Sequence, residues 1–105
     1  MSLDKITVCF TSKVSEGVQN YLMENLKEVS NIELIFPKDT SEENLMNIIP
    51  KAQVLIGWRP SKSILDKAIN LKVFINPGAG INHLLELFKQ INKDRKVLLI
   101  NGHGN

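Results

Sequence analysis

Apolar residues along this chain fall into short, nearly continuous blocks, separated by stretches where they recur every three or four positions. The blocks are Lys5–Phe10, Ile32–Phe36, Gln53–Gly57, Lys72–Asn76 and Val97–Ile100. They are brief, rich in β-branched residues and almost uninterrupted by polar ones, the pattern of strands covered on both faces. Five strands are predicted.

The intervening stretches predict four helices. In the first, Val14, Val18, Tyr21, Leu22, Leu26 and Val29 make one apolar stripe. The second begins at Thr40 or Ser41, with Thr40 and Glu43 at capping-box spacing and Leu45, Ile48 and Ile49 as its buried face. Pro50 stops it, because proline brings no N–H and clashes with the preceding turn. A third follows Pro60-Ser61 and carries Ile64, Leu65, Ala68 and Ile69; a fourth carries Leu84, Leu87, Phe88 and Ile91.

Strict alternation with short connections predicts an α/β domain with a parallel sheet, right-handed crossovers and helices on both faces. Strand order does not follow from periodicity, and 2-1-3-4-5 is the commonest choice for five strands. At 105 residues the chain has room for one domain and one core. Residues 1–105 are read as a single unit with no linker or repeat.

Composition narrows the picture little. Net charge is +2 with dispersed lysines and arginines, so neither nucleic acid nor a membrane surface is indicated as a partner. No window approaches the roughly 20 apolar residues of a membrane span, and a cytoplasmic location is the expectation. Cys9 is the only cysteine and lies inside an apolar block, where a buried, inert thiol is expected.

In parallel sheets of this type, ligands bind beyond the carboxyl ends of the strands. The turns expected there are Thr11–Val14, Pro37–Thr40, Gly57–Ser61, Pro77–Gly80 and Asn101–Asn105. Gly78, Ala79 and Gly80 let the backbone approach a ligand closely, and the next helix would point its first N–H groups into the same space. That combination suits a carboxylate or phosphate, and equally a tight turn with no ligand. Its spacing is not that of GxGxxG. Trp58 and Arg59 leave the third strand as a rigid apolar wall beside a planar fork of donors. His83 and His103 have no partners at metal-ligand spacing and no arrangement resembling a nucleophilic triad.

Taken in order, Ala52–Gly57, Arg59, Ile64–Ala68, Asn70–Val73, Gly78–Leu84 and Val97–Asn105 resemble the N-terminal half of D-isomer-specific 2-hydroxyacid dehydrogenases. The similarity is close from about Ala52 onward and one of pattern before it. The Gly78-Ala79-Gly80-Ile81 turn, followed by His83-Leu84 and preceded by Asn70-Leu71-Lys72-Val73, is its most specific part. The resemblance implies a flavodoxin-like substrate-binding domain and reduction of 2-keto acids to D-2-hydroxy acids. NAD or NADP would be held in the complete enzyme by a separate domain. Backbone amides of Ala79 and Gly80 would hold the substrate carboxylate, with Gly78 permitting the turn and Arg59 near the substrate. Asn82 stands where the family usually has aspartate, and Asn101 matches the asparagine before the chain crosses between domains.

The family's catalytic arginine, acid and histidine, and its dinucleotide loop, match nothing in these 105 residues. No catalytic, cofactor-binding or metal-binding residue is therefore assigned, and this chain alone is not expected to turn over substrate. The family's C-terminal return segment is also unmatched, so exposed apolar surface and self-association are expected. The competing reading is a non-catalytic flavodoxin-like module for signalling or association. A phosphorylatable receiver would need acids near Phe10-Thr11-Ser12 and Ile56-Gly57-Trp58, and none stands there. A phosphocysteine subunit would need Cys9 exposed and reactive.

Overall fold

The computed structural model describes residues 5–57, 61–76, 85 and 98–101. Four strands, β1 (Ile6–Phe10), β2 (Ile32–Ile35), β3 (Val54–Ile56) and β4 (Val73–Asn76), form a parallel sheet in the order β2-β1-β3-β4. Three helices connect them: α1 (Glu16–Leu26), α2 (Glu42–Ile48) and α3 (Lys62–Lys67). A 3-10 turn over Ile49–Lys51 follows α2. Beyond β4, the backbone of Leu98–Asn101 runs parallel to it, with Val73 opposite Leu98 and Asn76 opposite Asn101. The expected fourth helix, at Leu84, Leu87, Phe88 and Ile91, lies outside the described residues. Leu85 is helical and packs on the cluster that carries α1.

The sheet's two faces are covered by different helices. Leu22 and Leu26 of α1 pack on Val8, Phe10, Val54, Ile56, Val73 and Ile75. Leu45, Ile49, Ile64 and Ala68 pack on Cys9, Leu55 and Phe74 from the opposite side. The chain steps one way across the sheet through α1 and the other way through α2 and α3. Opposite steps on opposite faces give all three crossovers the same hand.

Register turns the strand alternation into rows. On the α1 face, Leu34, Val8, Val54 and Val73 form one apolar row, and Phe10, Ile56 and Ile75 form the next. Phe10 also stacks on Phe36 at 4.8 Å between ring centroids. The α2/α3 face holds a single apolar row, Ile35–Cys9–Leu55–Phe74, with polar rows on either side of it. At the amino edge Glu33, Thr7, Gln53 and Lys72 are tied by Thr7 N–H donating to Gln53 Oε1 at 2.6 Å and Gln53 N–H donating to Thr7 O at 2.9 Å. At the carboxyl edge the corresponding row is Thr11, Gly57 and Asn76.

Several boundaries differ from the sequence expectation, each for a local reason. Ser41, not Thr40, caps α2: its hydroxyl accepts from Asn44 N–H at 3.3 Å, so the Thr40–Glu43 capping box does not form. α2 ends at Ile48, and Pro50 sits in the 3-10 turn, where its missing N–H costs no helical bond. α3 has only six residues, and its Ala68 cap leaves the helical region at ψ 63°. Of the four apolar residues expected in this helix, Ile64 and Ala68 are buried, whereas Leu65 is 41% and Ile69, beyond the helix's end, 76% exposed. Tyr21, at 40%, likewise faces outward. β2 is the edge strand, so its residues are half-buried or exposed and not covered on both faces.

Candidate ligand edge of the sheet

All four strands point their carboxyl ends the same way, so the connections after Phe10, Ile35, Ile56 and Asn76 leave from one edge. Arg59, Gly78, Ala79 and Gly80, the substrate-binding candidates, lie outside the described residues, as do Trp58, Asn82, His83 and His103. The segments that hold them begin at this edge: β3 is followed by Gly57, and β4 ends at Asn76.

The described part of the edge is built around the row Thr11–Gly57–Asn76. Thr11 uses both its donors on one carbonyl: its N–H reaches Ile56 O at 2.8 Å and its hydroxyl donates to the same oxygen at 3.2 Å. Gly57 N–H donates to Ile75 O at 3.0 Å, which continues the β3–β4 ladder. A Cβ at Gly57 would stand 1.6 Å from Thr11 Oγ1 and 3.0 Å from Thr11 Cβ. Glycine is required here for lack of space. The Thr11 side chain thus lies over Gly57 between β1 and β3, the point where strand order reverses. Asn76 closes the row. Its Oδ1 is buried and has no hydrogen-bond partner. A buried acceptor left in that state costs stability unless something donates to it.

Flanking this row, Lys13, Val14, Glu16, Gln19, Phe36, Pro37 and Lys38 line a cleft of about 440 Å³ between the exits of β1 and β2. Gln19 Nε2 donates to Val14 O at 2.9 Å and holds the start of α1. Asp39 accepts from Ser41 N–H at 2.9 Å, and the Ser41 hydrogen bonds, the backbone one first, hold its carboxyl below the ordinary range. No carboxylate stands at Thr11-Ser12 directly after β1 or at Gly57 directly after β3, where a receiver would need one.

Cys9 lies one row below this edge. It is wholly buried, and burial pushes its thiol from 9.0 to about 11, Lys51 opposing the shift. The thiolate is the nucleophile, so a buried thiol raised this far is inert at neutral pH. We expect slow modification of the native chain by iodoacetamide and rapid modification in denaturant. Fast native labelling would revive the phosphocysteine alternative. The sign of the linked pH dependence follows from the raised value. Burial of the neutral thiol stabilises the fold fully below pH 9, and this contribution fades as pH climbs from there toward 11.

Thr11 and Asn76 open two of the segments expected at this edge, but neither was assigned a role of its own. Their signal is the alternation itself: each stands two residues beyond a buried apolar residue, Cys9 and Phe74, on the same face of its strand. No helix among the described residues is long and apolar enough to cross a membrane. No protein-family model matches the chain, and comparison with curated proteins and with solved structures likewise found no match.

Proposed function

We propose that this chain is the N-terminal part of the substrate-binding domain of an NAD- or NADP-dependent D-2-hydroxyacid dehydrogenase. The observation that carries the reading is the end of β4 at Asn76, on the sheet edge where the strands' carboxyl ends lie. From there the chain enters the Gly78-Ala79-Gly80 turn that resembles the family's carboxylate grip. The complete sheet in this reading is flavodoxin-like, β2-β1-β3-β4-β5, with β5 spanning Leu98–Asn101. The parallel pairing of that segment with β4 supports it.

On this reading the Ala79 and Gly80 amides would bind the carboxylate of a small 2-keto or 2-hydroxy acid. Gly78 would allow the backbone's approach, and Arg59 would add a positive charge on the β3 side. The chain's own residues do not fit a nicotinamide dinucleotide. The connection after β1, Thr11-Ser12-Lys13-Val14-Ser15, has no glycine for a pyrophosphate turn, and the Thr11 side chain lies over Gly57 beside it. Hydride transfer is therefore no part of what these residues do; their role is to orient an organic acid, which raises rate only where the reacting groups are also present. A cytoplasmic location and self-association belong to the same proposal.

The test is NADH- and NADPH-dependent reduction of a panel of 2-keto acids by the product of the complete gene. Turnover to the D-hydroxy acid is expected there, and none from the 105-residue chain alone. A complete product inactive on every keto acid with both cofactors would refute the reading.

A further inference from the structure

The cleft between the exits of β1 and β2 is lined by described residues, and the proposed organic-acid grip makes no use of it. Its apolar part is fixed in place. Phe36 stacks on Phe10 at 4.8 Å between ring centroids, and Val14 and Phe36 both pack on the core cluster of the α1 face. Gln19 Nε2, donating to Val14 O at 2.9 Å, ties the first turns of α1 to the same wall. Two cations stand over this apolar part. Lys13 comes from the connection after β1 and Lys38 from the connection after β2, and both are exposed. Neither is in an ion pair among the described residues. Asp39, the acid next to Lys38, accepts from Ser41 N–H instead. Glu16 is the one acid lining the cleft, so two positive charges face a single negative one. An anion placed between the two lysines offsets that excess, and an ammonium group is a point charge suited to phosphate. The volume, about 440 Å³, leaves room for more than a bare anion and lies in the range of small-molecule sites.

We propose that this cleft binds a small organic phosphate monoester, its head between Lys13 and Lys38 and its apolar body on Val14 and Phe36. A phosphate monoester carries about −1.5 to −2 charges at neutral pH, which suits two lysines better than the single charge of a carboxylate. Glu16 repels the head and limits affinity. The proposal does not depend on the organic-acid reading, since none of its residues belongs to the Gly78-Ala79-Gly80 segment.

The experiment titrates the ¹⁵N-labelled 105-residue chain with phenyl phosphate, inorganic phosphate and benzoate, read from amide shifts. It is repeated on Lys13→Gln, Lys38→Gln and Glu16→Gln, with Lys5→Gln at the amino edge as control. All four positions are exposed, so each variant keeps the fold. Phenyl phosphate is expected to give saturable shifts at Lys13, Val14, Gln19, Phe36 and Lys38, and to bind more tightly than benzoate or inorganic phosphate. Loss of either cleft lysine weakens it about two- to fivefold, the worth of an exposed charge pair. Glu16→Gln tightens it by a similar factor, and Lys5→Gln leaves it unchanged. Inorganic phosphate binding as tightly as the ester would overturn the proposal. Lys5→Gln weakening the ester as much as the cleft variants would show diffuse attraction to a cationic surface and also overturn it. So would the absence of saturable shifts at the cleft. Shifts confined to Ala79 and Gly80 would overturn it while leaving the organic-acid grip standing, whereas failure of pyruvate to bind there leaves this cleft untouched.

Discussion

Leu55→Ala should lower the unfolding free energy by about 2–5 kcal/mol, the largest single-residue effect expected outside the ligand edge. Leu55 is wholly buried at the centre of β3, between Cys9 and Phe74, in the only apolar row of the α2/α3 face among the described residues. That face has no second row to close over a lost side chain, and Ile49, Ile64 and Ala68 pack down on the same row from the helices. The cavity would therefore persist. Urea titration of parent and variant checks it, with Ile69→Ser as the contrast. Ile69 is 76% exposed despite its helical spacing from Leu65, and its replacement should change stability by less than about 0.5 kcal/mol. A Leu55→Ala midpoint matching that of Ile69→Ser would mean the α2/α3 layer is packed differently.

Gly57→Ala should destabilise by about 1–3 kcal/mol through overpacking. The added methyl would stand 1.6 Å from Thr11 Oγ1, so the Thr11 side chain must rotate and give up its bond to Ile56 O. Thr11 Cβ, at 3.0 Å, limits how far rotation alone can relieve the clash. Thr11→Ala removes the hydroxyl, and the double variant Thr11→Ala/Gly57→Ala should lose less than the two single changes added together, a coupling expected of residues in contact. Strict additivity by thermal or urea unfolding would contradict the close approach. For Gly57→Val, whose branches meet Thr11 whichever way it turns, the loss should exceed that of Gly57→Ala.

The order of elements and the two-sided cover of the sheet were legible in the sequence because both are local in origin. Continuous apolar blocks mark strands with neighbours on each face, and the stripe of Val18, Leu22 and Leu26 marks a helix lying on one of them. The errors fall where periodicity has no power. It cannot tell where α3 stops, so Ile69 was grouped with the helix although the helix ends at Lys67. Nor can it separate Thr40 from Ser41 as the cap, since either hydroxyl fits the start of α2. β2 reads like a covered strand because Ile32, Leu34 and Ile35 are apolar, yet it lies at the sheet's edge, which only tertiary order decides.

The expectation for the site came by a different route. The glycine-rich segment after β4 and Arg59 after β3 stand out as residue types, and the two strands that precede them end at one edge of the sheet. Thr11 over Gly57 is a contact between residues distant in sequence, and no local pattern announces it. The same holds for Asn76, whose Oδ1 is buried without a hydrogen-bond partner. Polar residues at the ends of otherwise apolar strands are the sequence trace of such a row.

The organic-acid grip is tested most directly by adding pyruvate to the ¹⁵N-labelled chain and following each backbone amide. The account predicts saturable shifts in the millimolar range, largest at Ala79 and Gly80 and extending to Gly78 and Asn76. The amino-edge amides of Thr7, Gln53 and Lys72 should stay in place. Shifts centred on that amino edge, or no saturable response at Ala79 and Gly80, would contradict it.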